Sequence, residues 1–399
     1  MDFFDNLVDY NIDKIYPSKD ALVKALSGEK KLRIYLGIDP SSSRIHLGNA
    51  IPLRKLAQFQ SLGHQVILLI GDFTGMIGDP TGRDAARVPL THEEVLENAK
   101  SYQKQASKII NFSGKNKAQL AYNSHWLAKL NFEQVVKLTS HFTVSQMLER
   151  DMFQKRLKEK KPISVHEFLY PIMQGYDSVA LDIDVEIGGT DQTFNMMVGR
   201  ELQRKIKSKE KYVLTLPLLE GTDARKMSKS FGNTIDIDED PSSMYGKVMS
   251  LKDSLILKYF EMTTDPPINE LKTIREALTK ENPINVKKKL AKTLVTMYHS
   301  EKEAQSAEEE FEKVVQKGEA PEKVEEFEFK KADLDKTYLY FLTETGLVES
   351  NSEASRLAAQ GAIVFDGKKV ENVREEFSPD KNEILIKAGK RKFIVLKFV

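Results

Sequence analysis

The sequence predicts an α/β fold built on a parallel sheet, followed by an α-helical domain and a small α+β domain. Three observations carry this prediction. Two β-type runs flank a helical pattern near the start, and two further strands with a helix between them follow a long helical stretch. Beyond Asp240 the chain turns helical and then closes on a hairpin signal and a β-rich end. A chain of 399 residues exceeds one comfortable hydrophobic core, so two or three domains are expected.

The elements follow in order. "LRIYLGID" is a β-type run, Leu47 to Leu62 has helical apolar spacing, and "QVILLIG" is apolar enough for a strand buried on both faces. Such a strand–helix–strand unit implies parallel pairing. Helical patterns over Thr91 to Asn111 and Asn131 to Lys160 place a helical insertion at about 91–180 in a first domain of residues 1–232. "DIDVEIG" and "YVLTLPL" resume the sheet around a helix from Gln192 to Ile206. Asp240 with Pro241, and Asn282 with Pro283, each join an N-cap to a proline at the first helical position, giving a helical domain over 233–317. The charged, weakly periodic "GEAPEKVEEFEFKKAD" has the composition of a linker, assigned to 318–333. In the last domain, 334–399, "TYLYFLTETG" is helix-like, and "SEASRLAAQG" is a helix with Ser352 as N-cap and Gly361 as C-cap. Asp366 and Gly367 make a hairpin turn, and "KFIVLKF" closes the chain as a strand.

Composition narrows the function. The net charge of +1, from 60 basic and 59 acidic residues, excludes a simple polycation, so any nucleic-acid contact must be a local patch. The absence of cysteine excludes disulfides, thiol catalysis and thiolate metal sites, and suits a reducing cytoplasm. The acidic start "MDFFDNLVDY" is no signal peptide. "VILLI", the longest aliphatic run, falls far short of the ~20 residues a membrane span needs. His92, His125, His141 and His166 have no metal-ligand spacing, so no metal site is expected.

After the first strand comes "GIDPSSSRIHLGNAIPL", a proline-bearing turn opening a helix that begins with His46, Gly48 and Asn49. Free N–H groups and the helix dipole attract phosphate there, Gly48 lets a planar ring approach the backbone, and His46 and Asn49 can donate hydrogen bonds. No GxGxxG fingerprint and no GxxxxGK(S/T) phosphate loop occurs, which weighs against dinucleotide oxidoreductases and P-loop kinases. The loop "KMSKS", Lys226 to Ser230, follows the strand "YVLTLPL" and sits apart from any evident core. Taken alone it is a solvated basic turn.

Read as an ordered pair, "HLGN" and "KMSKS" resemble the HIGH and KMSKS motifs of class I aminoacyl-tRNA synthetases. The stretches "YLGIDPS", "TGMIGDPTGR", "YPIMQGYD" and "GGTDQ" resemble the tyrosyl-tRNA synthetase pattern, and with the C-terminal module the resemblance spans nearly the whole chain. It implies a Rossmann-like catalytic domain with a helical insertion, an α-helical domain that binds the anticodon arm, and a small α+β RNA-binding domain. The implied activity is that of a tyrosine–tRNA ligase: tyrosine and ATP give tyrosyl-adenylate and pyrophosphate, and tyrosine then passes to the 3′ end of tRNA(Tyr). Magnesium would be carried by ATP. A cytoplasmic homodimer with no membrane contact is implied as well.

By the same resemblance, Tyr35 and Asp177 bind the substrate phenol, Asp79, Tyr170 and Gln174 hold its ammonium, and Gln192 approaches its carboxyl end, with Asp39 and Thr74 in the same pocket. A buried amine needs a carboxylate and oxygen acceptors, and a buried phenol needs its own partners. Tyr170, Gln174 and Asp177 are spaced i, i+4, i+7, one face of a helix. ATP is assigned to Gly37, Asp39, His46, Gly48, Asn49, Gly189, Asp191, Met227 and Lys229. Lys226 and Lys229 stabilise the departing pyrophosphate, and Arg83 joins His46, Asn49 and these lysines in the catalytic set. Asn49 stands where HIGH ends in histidine; it can donate a hydrogen bond but carries no charge.

The C-terminal "SEASRLAAQGAIVFDGKKV" resembles the small RNA-binding domain of the ribosomal-protein S-four type, which assigns Arg356, Lys368, Lys369, Lys390, Arg391 and Lys392 to RNA phosphates. A tryptophanyl-tRNA synthetase would have no use for a tyrosine and an aspartate aimed at a phenol, and it lacks this C-terminal domain. A non-catalytic RNA-binding protein on a dead synthetase body would have no need of Lys226, Lys229, His46, Asp79 and Asp191.

Overall fold

The computed structural model describes residues 7–79, 90–317, 324–330, 336–379, 381–389 and 392–399. They form two compact units, one from residues up to 240 together with 247–294, the other from 241–246 and 295–399.

The first unit is built on six strands: β1 Lys14–Tyr16, β2 Arg33–Ile38, β3 Gln65–Ile70, β4 Gln119–Tyr122, β5 Val185–Gly189 and β6 Tyr212–Leu216. Their order across the sheet is β1-β6-β5-β2-β3-β4, with every pair parallel except β1 against β6. Counting β2 to β6 as first to fifth, the parallel part reads 3-2-1-4-5, the Rossmann order, which reverses direction between β2 and β5. Val66, Ile67, Leu68, Leu69 and Ile70 of β3 are all 0 to 1 % exposed, as expected of a strand covered on both faces. β1 and β4 were not foreseen from the sequence. β4 lies inside the stretch 91–180 read as helical, and the pattern over Asn131 to Lys160 resolves into three helices, Phe132–Thr139, Val144–Leu148 and Asp151–Lys158.

Leu47–Ser61 is the helix that follows β2. Asp265, in left-handed conformation at the end of the helix Ile256–Thr264, accepts hydrogen bonds from Arg54 and Gln58 on the helix Leu47–Ser61 and from Asn11. Helices His166–Ala180 and Thr193–Lys207 meet at paired glycines, where a Cβ on Gly175 would lie 3.0 Å from the Gly199 nitrogen. A side chain there would press the two helices apart by a few tenths of an ångström. The proline-led helices begin as expected at Pro241 and Pro283, and Asn282 caps the second by accepting from the Ile284 N–H at 3.1 Å.

In the second unit, β7 Glu325–Phe329, β8 Ile363–Phe365, β9 Lys368–Lys369, β10 Glu383–Ala388 and β11 Lys392–Phe398 form a sheet in the order β7-β11-β10-β8-β9. The helices Tyr338–Glu344 and Asn351–Ala359 cover a core of Phe341, Phe365, Phe377, Leu396 and Phe398. Two readings are corrected here. Part of the stretch assigned to a linker is strand, because β7 pairs in parallel with β11 through Phe327 opposite Leu396. The N-cap of Asn351–Ala359 is Ser350, whose side chain accepts from the Glu353 N–H, in place of Ser352. Asp366 and Gly367 both have positive φ and make the expected hairpin turn between β8 and β9.

Candidate active site

A cleft of about 760 Å³ opens at the carboxyl ends of β2 and β5, where the strand order reverses. Every residue named from the sequence for tyrosine or nucleotide lines it, from Tyr35 on β2 to Lys229, apart from Arg83, which lies outside the described residues.

One end of the cleft has a built polar floor. Asp177 is 2 % exposed, and its two oxygens accept hydrogen bonds from Trp126 Nε1 at 2.8 Å and Asn123 Nδ2 at 3.2 Å. Burial raises its carboxyl well above the usual range, while those two donors pull the other way. Asn123 also donates to Thr74 Oγ1 at 2.9 Å, and Thr74 donates to Asp39 Oδ1 at 2.7 Å. Asp39 Oδ2 accepts from the Tyr170 hydroxyl at 2.7 Å. This chain crosses directly over Gly71, where a Cβ would lie 2.0 Å from Asp39 Oδ1. Tyr35 is fully buried, with its hydroxyl 3.1 Å from Ser178 Oγ, and burial raises its pKa so that the phenol is neutral. Further out, Asp79 Oδ2 accepts from Gln192 Nε2 at 2.7 Å, and Asp79 Oδ1 lies 3.9 Å from the Arg150 guanidinium. Arg150 is itself buried over the rings of Phe153 and Phe194. Three oxygen-rich side chains, Asp79, Tyr170 and Gln174, thus share one cleft with a phenol and a carboxyl at its floor.

The other end is a helix terminus. His46 is the N-cap of Leu47–Ser61, and its Nδ1 accepts from the Asn49 N–H at 3.2 Å. That bond assigns the ring proton to Nε2. Burial and then the charges of Lys229 and Lys226 push the imidazole pKa down to about 4, so the ring is a neutral donor at pH 7. Gly48 keeps the surface flat, since a Cβ there would lie 3.1 Å from His46 Nδ1 and 3.7 Å from Met227 Sδ. Met227, 4 % exposed, therefore anchors the "KMSKS" loop beside this helix start.

The loop is held at several points. Met227 N–H donates to the Leu219 carbonyl, and Asn233 clamps the loop by accepting from Ser228 N–H at 2.8 Å and donating to the Lys226 carbonyl at 3.1 Å. Both lysines have partners. Lys226 pairs with Asp191 at 2.7 Å, and Lys229 donates to Ser42 Oγ and the Arg44 carbonyl, each at 2.7 Å. Burial holds the Lys229 pKa below the ordinary lysine value.

Sequence reading missed Asn123, Trp126, Arg150 and Asn233. The available signal for the first two was position: "AYNSHW" starts where β4 ends, and residues just beyond the carboxyl ends of parallel strands face the cleft. In the second unit Arg356, Lys368, Lys369 and Lys392 are exposed, and Lys392 also donates to the Leu347 carbonyl at 2.8 Å; Lys390 and Arg391 lie outside the described residues.

A Rossmann-like sheet, a histidine-capped helix terminus and a lysine loop facing one cleft define a nucleotide-dependent enzyme of the class I synthetase type. The profile of the family described as "tRNA synthetases class I (W and Y)" matches residues 27–316, and the chain belongs to that family. It is 46% identical over 402 residues to the tyrosine--tRNA ligase of Carboxydothermus hydrogenoformans, covering 98% of this chain and 97% of that one. It is 47% identical to the same-named protein of Haemophilus ducreyi, with 96% and 95% covered. Among solved structures, a C-terminally truncated mitochondrial tyrosyl-tRNA synthetase of Aspergillus nidulans shares the fold, with TM-score 0.65, 24% identity and coverage of 77% and 92%. The tyrosyl-tRNA synthetase of Archaeoglobus fulgidus, solved with L-tyrosine, shares it with TM-score 0.61, 21% identity and coverage of 77% and 100%.

Proposed function

We propose that the protein activates L-tyrosine with ATP and transfers it to the 3′ end of tRNA(Tyr). The observation that carries this reading is the polar floor of the cleft, where Asp177 and Tyr35 are held ready to pair a phenol hydroxyl. Tryptophan, the other amino acid of this family, has no hydroxyl to offer there; its indole N–H can donate to Asp177 but gives the Tyr35 hydroxyl no acceptor, a mismatch of about 1–3 kcal/mol.

Tyr170, Gln174 and Asp79 receive the ammonium, and Gln192 guides the carboxylate. A carboxylate oxygen of tyrosine attacks the α-phosphorus of ATP, the bond to the bridging oxygen breaks, and pyrophosphate leaves with that electron pair. No proton need move. The chain's contribution is position and charge: Asp191 and the Gly189 backbone hold the ribose, His46 Nε2–H and Asn49 donate to phosphate oxygens, and Lys226, Lys229 and Arg83 meet the departing pyrophosphate. Magnesium arrives with ATP; among the described residues no three carboxylate, histidine or cysteine side chains are grouped to hold an ion of their own. Transfer then requires tRNA, gripped by the helical residues 233–317 and by the basic face of 334–399.

The protein works as a homodimer in the cytoplasm. The apolar residues Phe132 at 84 % exposure, Val136, Val144, Leu157 and Val165 crowd the segment 131–165, a density of bare apolar surface that suits a subunit interface. Among the described residues no helix is long and apolar enough to cross a membrane.

Exchange of labelled pyrophosphate into ATP tests the reading. Tyrosine should drive the exchange, and phenylalanine and tryptophan should not. Equal exchange with tryptophan sinks the assignment.

A further inference from the structure

Behind the tyrosine floor lies a buried ion pair that the adenylation chemistry leaves unused. Lys211, 0 % exposed, immediately precedes β6 and donates to Glu186 Oε2 on β5 and to Ser178 Oγ at 2.8 Å. The space for its ammonium is made by Gly199, where a Cβ would lie 2.6 Å from Lys211 Nζ and 2.9 Å from Ser178 Oγ. The glycine contact between the two helices therefore serves this lysine as well as the packing. Glu186, 2 % exposed, reaches two residues of the amino-acid site. Its Oε1 accepts from Gln174 Nε2 at 3.2 Å. Its Oε2 lies 3.4 Å from Ser178 Oγ, which in turn sits 3.1 Å from the Tyr35 hydroxyl.

A carboxylate only accepts hydrogen bonds, so it can face only the nitrogen end of the Gln174 amide. The amide oxygen is thereby turned away from Glu186, on a side chain that lines the cleft. An ammonium needs that orientation, and a flipped amide would present it with a second donor. We propose that the Glu186–Lys211 pair is a positioning device that sets the hydrogen-bond polarity of the amino-acid pocket. Glu186 points the Gln174 oxygen at the substrate ammonium and steadies Tyr35 through Ser178. Lys211 neutralises Glu186, so that no second uncompensated carboxylate stands beside Asp177. This rests on tyrosine being the substrate.

A buried ion pair can also be merely structural, and such pairs are often replaceable by uncharged residues without loss of stability. The test separates the two roles through Glu186→Gln, Lys211→Met and the double variant, read by thermal midpoint and by equilibrium binding of tyrosine and of its deaminated analogue, 3-(4-hydroxyphenyl)propionate. Lys211→Met should lower the midpoint by leaving Glu186 uncompensated, and the double variant should recover it. Tyrosine affinity should nevertheless stay reduced about tenfold in the double variant, because an amide in place of the Glu186 carboxylate can accept from or donate to Gln174 and no longer fixes its orientation. The analogue, which lacks the ammonium, should lose less than about threefold. KM for ATP should stay within about threefold of the parent value. A double variant that regains both midpoint and tyrosine affinity, or that loses both ligands equally, overturns the positioning role. Failure of the parent protein to bind tyrosine would instead overturn the functional reading, and this inference with it.

Discussion

At the scale of single residues, burial shifts the protonation of particular groups in the cleft of the free protein. His46 is the clearest case. Its folded pKa of about 4 lies below the 6.5 of an unfolded chain, so between those values the unfolded state binds more protons. The stabilising contribution is fully present above pH 6.5 and is lost as pH falls toward 4, an effect of about 2–4 kcal/mol. Two outcomes follow. An NMR titration of the free protein should show the His46 ring neutral down to about pH 4, and His46→Gln should flatten the stability profile between pH 4 and 6.5. A His46 midpoint near 6.5 would contradict the burial argument. Asp177 makes the complementary case. Asn123→Ala or Trp126→Phe removes one of its two donors, costing about 1–3 kcal/mol, and should weaken tyrosine binding roughly tenfold or more while leaving KM for ATP unchanged. Equal losses for both substrates would mean the cleft had simply deformed. Most lining residues were legible because their types recur in recognisable stretches. Asn123 and Trp126 were missed because the strand they follow, β4, is too short to register, and nothing in "SKEKYVLT" says that its second lysine, Lys211, turns inward.

At the scale of elements, the loop around "KMSKS" combines a rigid anchor with detachable charges. Met227 and Asn233 are 4 % and 2 % exposed and hold the loop backbone, whereas Lys226 and Lys229 rest on Asp191, Ser42 and Arg44. ATP must exchange with these resting partners, because Asp191 is assigned to its ribose. Lys229→Ala should therefore lower the rate of adenylate formation by roughly 10²-fold or more, the scale of losing one oxyanion-type donor, with little change in tyrosine affinity. Stopped-flow measurement of tyrosine binding and of the chemical step separates the two; weaker tyrosine binding at an unaltered rate would overturn the role. The long strands and helices around this loop were readable from periodicity. β1, three residues long, and β4, an edge strand of four, carry too few alternations to register, and they are set by pairing with β6 and β3. β7 escaped notice for another reason. "EEFEF" is acidic like a linker, yet it alternates with period two, and its phenylalanines Phe327 and Phe329 pack on the C-terminal core.

At the scale of the whole molecule, the residues assigned to adenylation all lie before residue 230, while the basic residues assigned to RNA begin at Arg356. The place to divide them follows from the sheet. A cut after residue 333 would strip β11 from β7 and leave an unpaired strand of alternating phenylalanines exposed. A cut after Lys317 removes that sheet entire and leaves Phe311 in its ring contact with Tyr245, 5.5 Å between centroids. The chain 1–317 should therefore keep tyrosine-dependent pyrophosphate exchange within a fewfold of the intact protein. Its charging of tRNA should fall severely, because Arg356, Lys368 and Lys369 are the residues proposed to contact RNA phosphates, and such contacts fix register without reading sequence. Salt provides the second measurement. In the intact protein, raising ionic strength should weaken tRNA binding steeply through counterion release, with pyrophosphate exchange far less affected, and in the truncated chain most of that salt slope should be gone. Charging by residues 1–317 at the rate of the full chain would reduce the basic C-terminal face to a solvated surface.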